Sequence, residues 1–282
     1  MDLDGKALAE TYLQKTKDEA RCLRLTPGIA FVLVGNDPAS QSYVRSKGKK
    51  CQEVGFTSQK IQLDEKVSQT ELFRVIDHLN NDPSIHAILV QMPLPSHIDS
   101  NAVIERVLPE KDVDGFHPIN IGRMVSGDLS GPIACTPLGI LKILEHYQIR
   151  TEGANVVVVG RSNIVGKPIA NLLMQKTKYG NATVTIAHSY SHDLVGICKK
   201  ADILIVAMGK PRMITRHMVK DGAVVIDVGI TRLDSGDLVG DVDYDSVKGK
   251  ASHITPVPGG VGPMTIAMLL YNALECAKKS IE

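Results

Sequence analysis

Two glycines in the segment 155–168 give this chain its clearest chemical pattern. Four consecutive valines, residues 156–159, form an apolar β-branched run as short as a buried parallel strand, and Gly160 ends that run. Gly166 and Pro168 then suit the first turn of a helix. Backbone N–H groups and the positive end of a helix dipole would meet at such a turn and attract phosphate groups. The pattern predicts a nucleotide site and favours a nicotinamide dinucleotide.

Ser162 makes this turn differ from the usual dinucleotide fingerprint, GxGxxG, which would have glycine at that position. An ordinary strand-to-helix turn without a ligand is therefore the alternative from spacing alone. Three more predicted strands end in short loops of small or polar residues, and ligands of parallel sheets bind beyond the carboxyl ends of the strands. The candidate cofactor-binding residues at these ends are Gly160, Arg161, Ser162, Val165, Ser189, Gly209 and Ile230.

The end of the second predicted strand in this half favours NADP over NAD. NAD-selective sites usually place Asp or Glu there to hold the ribose 2′-hydroxyl, but here no carboxylate follows until Asp193. Arg161 and Ser189 are instead placed to bind a 2′-phosphate through a guanidinium and a hydroxyl group. The alternative is that Arg161 is a surface residue and that Ser189 caps a helix.

Four polar residues in the first half could act on a ligand. Tyr43 and Lys47 are four residues apart on a predicted helix and share one face, although such residues also occur as a packing or solvent pair. Gln91 comes just past an apolar strand, where a simple strand cap is the alternative. Asp114 precedes a glycine, so it could grip the paired N–H donors of a heterocycle or form an ordinary Asp-Gly turn.

The predicted elements that must position these residues alternate between helix and strand. In the first half, helices are predicted at 4–23, 39–54 and 69–79, and strands at 28–35 and 87–91. In the second half, strands are predicted at 155–159, 183–187, 203–207 and 224–228, with helices at 138–146, 168–175, 193–199, 216–220 and 263 to about 277. This order predicts an α/β fold with a parallel sheet, and the Gly-, Pro- and Asp-rich segment 105–137 places the main domain boundary at its end.

The composition excludes several classes of protein. The 282 residues are 43% hydrophobic and 22% charged with a net charge of +1, which favours a globular protein over a disordered, nucleic-acid-binding or membrane-binding one. Five scattered cysteines without a CxxC motif fit a reducing cytosol, and no signal peptide or membrane span is predicted. The HxxxH spacing of His188 and His192 leads from a strand into a loop, so no metal site is expected.

Eight motifs, in order across nearly the whole chain, strongly resemble the bifunctional methylenetetrahydrofolate dehydrogenase/cyclohydrolase family of the FolD type. They are YVRSK (43–47), VQMPLP (90–95), PEKDVDGFHPINIGR (109–123), CTPLGI (135–140), VVVGRSNIVGKP (157–168), DVGI (227–230), GDVD (240–243) and TPVPGGVGPMT (255–265). Two segments within them, KDVDG and PGGVGPMT, are long and specific. The glycines of PGGVGPMT let the backbone approach a ligand closely, although a tight connector would use them equally well.

The resemblance implies an NADP-dependent enzyme of one-carbon metabolism. It would oxidise 5,10-methylenetetrahydrofolate to 5,10-methenyltetrahydrofolate and hydrolyse that product to 10-formyltetrahydrofolate. It implies a catalytic, folate-binding domain of residues 1–137 with the C-terminal helix from about 263, and a Rossmann-like NADP-binding domain of residues 138–262. It also implies a cytoplasmic homodimer, with tetrahydrofolate derivatives as its ligands.

The resemblance also implies roles for the polar residues of the first half. Lys47 would act as the base of the hydrolysis and Gln91 would orient it. Tyr43 would stack on the folate ring system, and Asp114 would anchor the pterin by two hydrogen bonds. The expected substrate-binding residues are Tyr43, Val90, Gln91, Met92, Asp114, Pro258, Gly259 and Gly260.

Other functions stay open at this point. One alternative is an enzyme with only the dehydrogenase activity, or one that uses NAD. Another is a folate-binding or nucleotide-binding module without catalysis, although the intact Tyr43, Lys47, Gln91 and Asp114 argue against it. A generic shikimate-dehydrogenase-like enzyme would share the fold but does not explain PGGVGPMT.

Overall fold

Two parallel β-sheets organise the chain, one in each of two compact units. The computed structural model describes residues 1–281. The first unit consists of Thr11–Ile133 and the residues from 269 onward, and the second unit consists of Met1–Glu10 and Ala134–Met268.

The first unit is built around a three-stranded parallel sheet in the order β2-β1-β3. Its elements are α1 (Gly5–Leu23), β1 (Gly28–Val34), α2 (Pro38–Val54), β2 (Thr57–Leu63), α3 (Gln69–Asn81), β3 (Ala87–Val90), α4 (Ser100–Arg106) and α5 (Pro118–Val125). Every residue of β1 is buried, and Leu72 and Ile76 of α3 pack in the same apolar cluster as alternate residues of β1. Because Val32 of β1 pairs with Val90 of β3, the chain leaves β3 at the carboxyl edge of the sheet.

The second unit contains a five-stranded parallel sheet in the order β10-β7-β6-β4-β5. Its elements are α6 (Cys135–His146), β4 (Asn155–Val159), α7 (Gly166–Met174), β5 (Thr183–Ala187), α8 (Leu194–Cys198), β6 (Ile203–Val206), β7 (Val224–Asp227), β8 (Thr231–Arg232), β9 (Leu238–Val239), α9 (Tyr244–Val247), β10 (His253–Ile254) and the first residues, up to Met268, of α10 (Val261–Lys279). The predicted α/β class with a parallel sheet is therefore confirmed.

Strand β4 is buried because both of its faces are covered. Val156 and Val158 are 0% exposed, and Val157 and Val159 pack with Leu204 in a continuous apolar cluster. Full burial of each valine side chain stabilises the fold by about 1.5–3 kcal/mol. The strand is thus a rigid support for the turn that follows it at Gly160.

The end of α10 packs within the first unit, as predicted for the C-terminal helix. The buried Asn272 side chain donates through Nδ2 to the carbonyl oxygens of Val113 (3.0 Å) and Ile133 (2.8 Å). Lys278 forms an ion pair with Glu19 of α1 at 2.9 Å. These contacts join the C-terminal helix to the loop that precedes Asp114.

The structure corrects several predicted elements. The helix predicted at 216–220 is only a short 3-10 turn, Arg216–Met218, and the helix predicted from 138 begins at Cys135. Strand β2 was not predicted, because its sequence, TSQKIQL, is polar on an exposed sheet edge and lacks apolar alternation. Helices α4 and α5 lie in the segment predicted as a Gly- and Pro-rich connection or just before it. Within residues 1–281, no helix combines the length and apolar character that crossing a bilayer requires.

Candidate active site

A hydrogen bond joins Lys47 to Gln91 in the first unit. Helix α2 supplies Lys47, and its beginning is fixed by Pro38 and by Asp37, whose carboxylate accepts the N–H of Ser40 at 2.7 Å. Lys47 lies about two turns before the end of this helix, and its Nζ donates to Gln91 Oε1 at 3.2 Å. The lysine is half-buried. The hydrogen bond therefore holds the Lys47 amine in a defined position.

Gln91 is itself held at its backbone and its side chain. Its N–H donates to the carbonyl of Val32 at 2.8 Å, and its side-chain Nε2 donates to the carbonyl of Met92 at 2.7 Å. Because Nε2 is engaged by the backbone, Oε1 is the atom that faces the lysine. The end of β3 thus positions the Gln91 side chain, and the Gln91 amide oxygen positions the Lys47 amine.

Tyr43 lies one helical turn before Lys47 on α2. Its side chain is 49% exposed, although most large apolar side chains of the protein are buried. An exposed aromatic ring beside a positioned amine is suited to stack on a flat heterocyclic ligand.

Asp114 follows the isolated bridge between Ile88 and Asp112 and lies in the turn before α5. Burial raises the pKa of its carboxyl group to about 6, the nearby Asp112 adds to this effect, and Lys47 opposes it. The Lys47 amine is therefore close enough to favour the ionised form of this carboxyl group. This carboxyl group is suited to accept hydrogen bonds from a ligand that brings its own donors.

Asp112 is a site residue to which sequence reasoning gave no role. Its buried carboxylate accepts the N–H groups of Phe116 (3.2 Å) and His117 (2.8 Å) and the side-chain Nδ2 of Asn120 (2.9 Å). These bonds shape the turn that presents Asp114. The presence of a second acid in KDVDG was the available signal in the sequence.

The remaining candidate substrate-binding residues divide between the two units. Val90 is only 8% exposed and packs in the apolar cluster of the first unit, whereas Met92 is half-buried. Pro258, Gly259 and Gly260 belong to the second unit. Gly259 has a φ of 109°, a left-handed conformation that favours glycine, and Pro258 is exposed.

The turn after β4 requires both of its glycines. A side chain at Gly160 would collide with the carbonyl that follows β6, and one at Gly166 would collide with the carbonyl of Gly160. Ser162 occupies the position of the second glycine in the usual motif. Its Oγ accepts the N–H groups of Val165 (3.1 Å) and Gly166 (3.3 Å) and so stabilises the start of α7. Residues 161–164 of this turn are exposed. The turn can therefore receive a ligand along residues 161–164.

Arg161 and Ser189 both lie exposed at the carboxyl edge of the five-stranded sheet. The guanidinium of Arg161 lies 5.6 Å from the ring centroid of Tyr190, an aromatic residue that sequence reasoning did not single out. Ser189 does not cap α8, since Asp193 does so by accepting the N–H of Gly196 at 2.9 Å. The helix-cap alternative for Ser189 is therefore wrong.

Gly209 and Ile230 follow β6 and β7 at the same sheet edge. Gly209 is exposed with a φ of 66°, and Ile230 is 50% exposed. The N–H of Gly209 donates to the buried Asp241 at 2.8 Å. Asp241 was part of the GDVD motif but had no predicted role.

The sequence matches two domain descriptions of one family. Residues 3–114 match "Tetrahydrofolate dehydrogenase/cyclohydrolase, catalytic domain", and residues 134–281 match "Tetrahydrofolate dehydrogenase/cyclohydrolase, NAD(P)-binding domain". The chain belongs to the tetrahydrofolate dehydrogenase/cyclohydrolase family. The catalytic-domain match covers Tyr43, Lys47, Gln91 and Asp114, and the NAD(P)-binding match covers the turn at Gly160.

Relatives of this dehydrogenase/cyclohydrolase family member align with it along nearly its whole length. The bifunctional protein FolD of Campylobacter concisus is 55% identical, over 99% of this chain and 98% of that protein. The crystal structure of the bifunctional FolD enzyme of Campylobacter jejuni is 48% identical, covers 99% of each chain and has a TM-score of 0.96. The Trypanosoma brucei FolD structure, complexed with NADP cofactor and an inhibitor, is 36% identical, covers 100% of this chain and 98% of that chain, and has a TM-score of 0.93.

Membership of the dehydrogenase/cyclohydrolase family confirms three predictions made from the sequence. The family itself is as predicted, and so is the α/β fold class with an NAD(P)-binding domain. The protein is an enzyme with dehydrogenase and cyclohydrolase activities.

Proposed function

We propose that the enzyme oxidises 5,10-methylenetetrahydrofolate to 5,10-methenyltetrahydrofolate with NADP and then hydrolyses this product to 10-formyltetrahydrofolate. The observation that carries the proposal is the hydrogen bond of 3.2 Å from the Lys47 amine to Gln91. It gives the catalytic-domain half a positioned proton-transfer group, and the same amine acts on the pKa of Asp114. A module that only bound folate would not need to hold an amine in this way.

The turn after β4 fits NADP. It has a left-handed glycine at residue 160 where a side chain would fill the turn, and an exposed arginine and serine directly follow. Arg161 and Ser189 would bind the 2′-phosphate through a guanidinium and a hydroxyl, which favours NADP over NAD. The other residues proposed to line this site are Gly160, Ser162, Val165, Gly209 and Ile230.

The oxidation requires little from acid or base groups of the protein. Bound NADP supplies the hydride acceptor. Loss of hydride from the methylene carbon leaves a cation that the two flanking folate nitrogens stabilise, so the step depends mainly on alignment of the substrate. Tyr43 stacks on the ring system and Asp114 accepts two hydrogen bonds from the pterin, and together they set that alignment. Val90, Met92, Pro258, Gly259 and Gly260 complete the substrate contacts.

The hydrolysis requires a base. A water molecule forms a C–O bond with the methenyl carbon and loses one proton, which gives a neutral carbinolamine. The hydroxyl group then loses its proton as the C=O bond forms, one of the two C–N bonds breaks, and the departing nitrogen takes up a proton, which leaves the formyl group on the other nitrogen. Only the neutral amine of a lysine can accept a proton, and an adjacent substrate cation favours a neutral over a charged amine. Lys47 takes the proton, and Gln91 keeps its amine directed at the reacting carbon.

We also propose the assembly and location implied by the family resemblance. Strand β5 forms one edge of the five-stranded sheet, and its Ile186 is 38% exposed, which supports pairing of two copies in a homodimer. Four of the five free cysteines are buried thiols, which supports a reducing, cytoplasmic location. The functional domains are residues 1–137 with the C-terminal helix, for folate, and residues 138–262, for NADP. Light scattering that returns a monomer mass at assay concentration would contradict the dimer.

A paired-cofactor assay tests the proposed function. The purified enzyme is supplied with 5,10-methylenetetrahydrofolate and either NADP or NAD, and the methenyl and formyl products are followed separately. The proposal predicts formation of both products and a higher kcat/KM with NADP. Methenyl product without formyl product would indicate a dehydrogenase of one activity, higher kcat/KM with NAD would refute the cofactor assignment, and no turnover would indicate a binding module.

A further inference from the structure

Two buried carboxylates lie beneath the loops that follow β6 and β7. Asp227 ends β7 and is 3% exposed, and Asp241 follows β9 and is 0% exposed. Neither forms an ion pair with a basic side chain among residues 1–281, although buried charges usually have such partners. Both carboxylates instead accept backbone N–H groups, so their role must be sought in the backbone that they hold.

Asp241 binds the loop after β6. Its Oδ2 accepts the N–H of Met208 at 2.6 Å and the N–H of Gly209 at 2.8 Å, whereas its Oδ1 is buried and has no hydrogen-bond partner. Two consecutive N–H groups that converge on one oxygen fix the direction of the peptide between them. The left-handed Gly209 is thereby locked in an exposed position at the sheet edge.

Asp227 binds Asp241 and the loop after β7. Its Oδ1 accepts the N–H groups of Gly229 (2.9 Å) and Asp241 (3.0 Å), and its Oδ2 accepts the N–H of Val242 at 2.9 Å. The N–H of Asp227 donates to Oγ1 of Thr255, which begins the TPVPGGVGPMT segment. One hydrogen-bonded network of the second unit thus connects the loops after β6 and β7 with the segment that carries Pro258.

Steric packing around the two carboxylates explains why the motifs DVGI and GDVD contain glycine. A side chain at Gly229 would collide with the carboxyl carbon of Asp241, and a side chain at Gly240 would collide with Oδ2 of Asp227. Each glycine therefore makes room for the carboxylate of the other motif. This reciprocal packing indicates that DVGI and GDVD depend on each other for their conformation.

We propose that Asp227 and Asp241 are positioning residues for NADP, which hold the loops carrying Gly209 and Ile230 in the shape that receives the cofactor. This inference rests on the proposed function, since it takes those two residues as part of the NADP site. The N–H of Gly209 is engaged by Asp241, so it is not available as a donor to a cofactor phosphate group.

The two carboxylates respond differently to replacement by asparagine, and this difference provides the test. In Asp241→Asn, the amide oxygen can accept both N–H groups and the NH2 group takes the place of the unpartnered Oδ1, so the loop keeps its shape. In Asp227→Asn, the NH2 group must face an N–H donor on either side, because both carboxylate oxygens accept. Asp241→Ala removes the one oxygen, Oδ2, that accepts both N–H groups of the loop after β6.

The experiment measures KM for NADP in the dehydrogenase reaction and kcat for hydrolysis of methenyltetrahydrofolate supplied directly without cofactor. We expect Asp241→Ala and Asp227→Asn to raise the KM for NADP roughly tenfold, the effect of losing charge-assisted hydrogen bonds, with much less change in the hydrolysis kcat. Asp241→Asn should stay within about threefold of the wild-type KM. Asp245→Ala is the matched control, since its carboxylate is 89% exposed in the same segment.

A wild-type KM for NADP in Asp241→Ala would overturn the proposal, and so would equal loss of both activities in Asp241→Ala and Asp241→Asn. Should Asp241→Ala fail to fold, the comparison of Asp241→Asn with Asp227→Asn decides, because a general structural role would not raise the KM for NADP selectively. Absence of activity in the wild-type enzyme would instead refute the proposed function, so the two failures are distinguishable.

Discussion

The amine of Lys47 and the amide oxygen of Gln91 lie 3.2 Å apart, although helix α2 supplies one and the end of strand β3 supplies the other. The glutamine is immobilised by the backbone of Val32 and Met92, so the direction of the bond is set by the sheet. The amine is thereby oriented by an uncharged amide acceptor.

Replacement of Gln91 tests whether the orientation of the Lys47 amine contributes to hydrolysis. In Gln91→Ala the amine of Lys47 loses its acceptor, and we expect the cyclohydrolase kcat to fall at least about tenfold with a smaller change in the KM for folate, because orientation is lost more than binding. Steady-state kinetics on methenyltetrahydrofolate measure this. Gln59→Ala, on the exposed β2 edge, is the control. A rise in KM with unchanged kcat would show that Gln91 only binds substrate.

Arg161 provides a test of cofactor selectivity. Arg161→Ala removes the guanidinium proposed to bind the 2′-phosphate, so the KM should rise by about one to two orders of magnitude for NADP and much less for NAD. Initial rates with each cofactor give the comparison. Arg150→Ala is the control, because the Arg150 side chain is 81% exposed and forms a long ion pair with Glu152 at 3.9 Å. Equal effects on both cofactors would remove Arg161 from the 2′-phosphate site.

The carboxyl group of Asp114 links function to pH. Its pKa is raised to about 6 from an ordinary value of 3.8, mainly by burial. The folded protein therefore takes up a proton as the pH falls through about 6, before the unfolded chain does. This group favours folding below about pH 4, and that contribution is lost as the pH rises from about 4 through 6. The ionised group that would bind the pterin is present only above that pH.

Two opposite effects are therefore expected of Asp114→Asn. The midpoint of thermal unfolding should rise above that of wild type at about pH 7.5, and the difference should shrink towards about pH 4, because both side chains are then uncharged. At neutral pH the variant should have a higher KM for folate than wild type. The KM of wild type should also rise as the pH falls below about 6, whereas the KM of the variant should not. Asp18→Asn, an exposed change on α1, is the control. An unchanged folate KM would contradict the anchoring role.

Asn272 tests the docking of the C-terminal helix. Its buried amide donates hydrogen bonds to the carbonyl oxygens of Val113 and Ile133. Because Asn272→Ala leaves these buried acceptors unsatisfied, it should reduce the free energy of unfolding by about 1–3 kcal/mol. Urea unfolding followed by circular dichroism measures the change. Asn101→Ala, exposed on α4, should have a much smaller effect. Wild-type stability of Asn272→Ala would show that water satisfies the two carbonyl groups.

Sequence patterns were sufficient where a local feature determines structure. The valines of β4 and the glycines around it predicted both the strand and the turn, because burial and close packing restrict the residue types at those positions. The spacing of Tyr43 and Lys47 likewise predicted that they share one side of a helix.

Long-range contacts could not be predicted in this way. The roles of Asp112, Asp227 and Asp241 depend on backbone N–H groups brought together by tertiary structure, and a carboxylate that accepts them looks like any other acid in the sequence. Strand β2 was not predicted for a related reason, because an edge strand can be polar on both faces.

The most direct test of the proposed chemistry is the cyclohydrolase activity of Lys47→Met, compared with Lys49→Met, an exposed lysine on the same helix. Because a general base contributes about 10²–10⁴-fold, we predict that Lys47→Met loses measurable hydrolysis of methenyltetrahydrofolate. The variant should still bind folate through Tyr43 and Asp114, and Lys49→Met should resemble wild type. Full cyclohydrolase activity in Lys47→Met would contradict the assignment of this amine as the base.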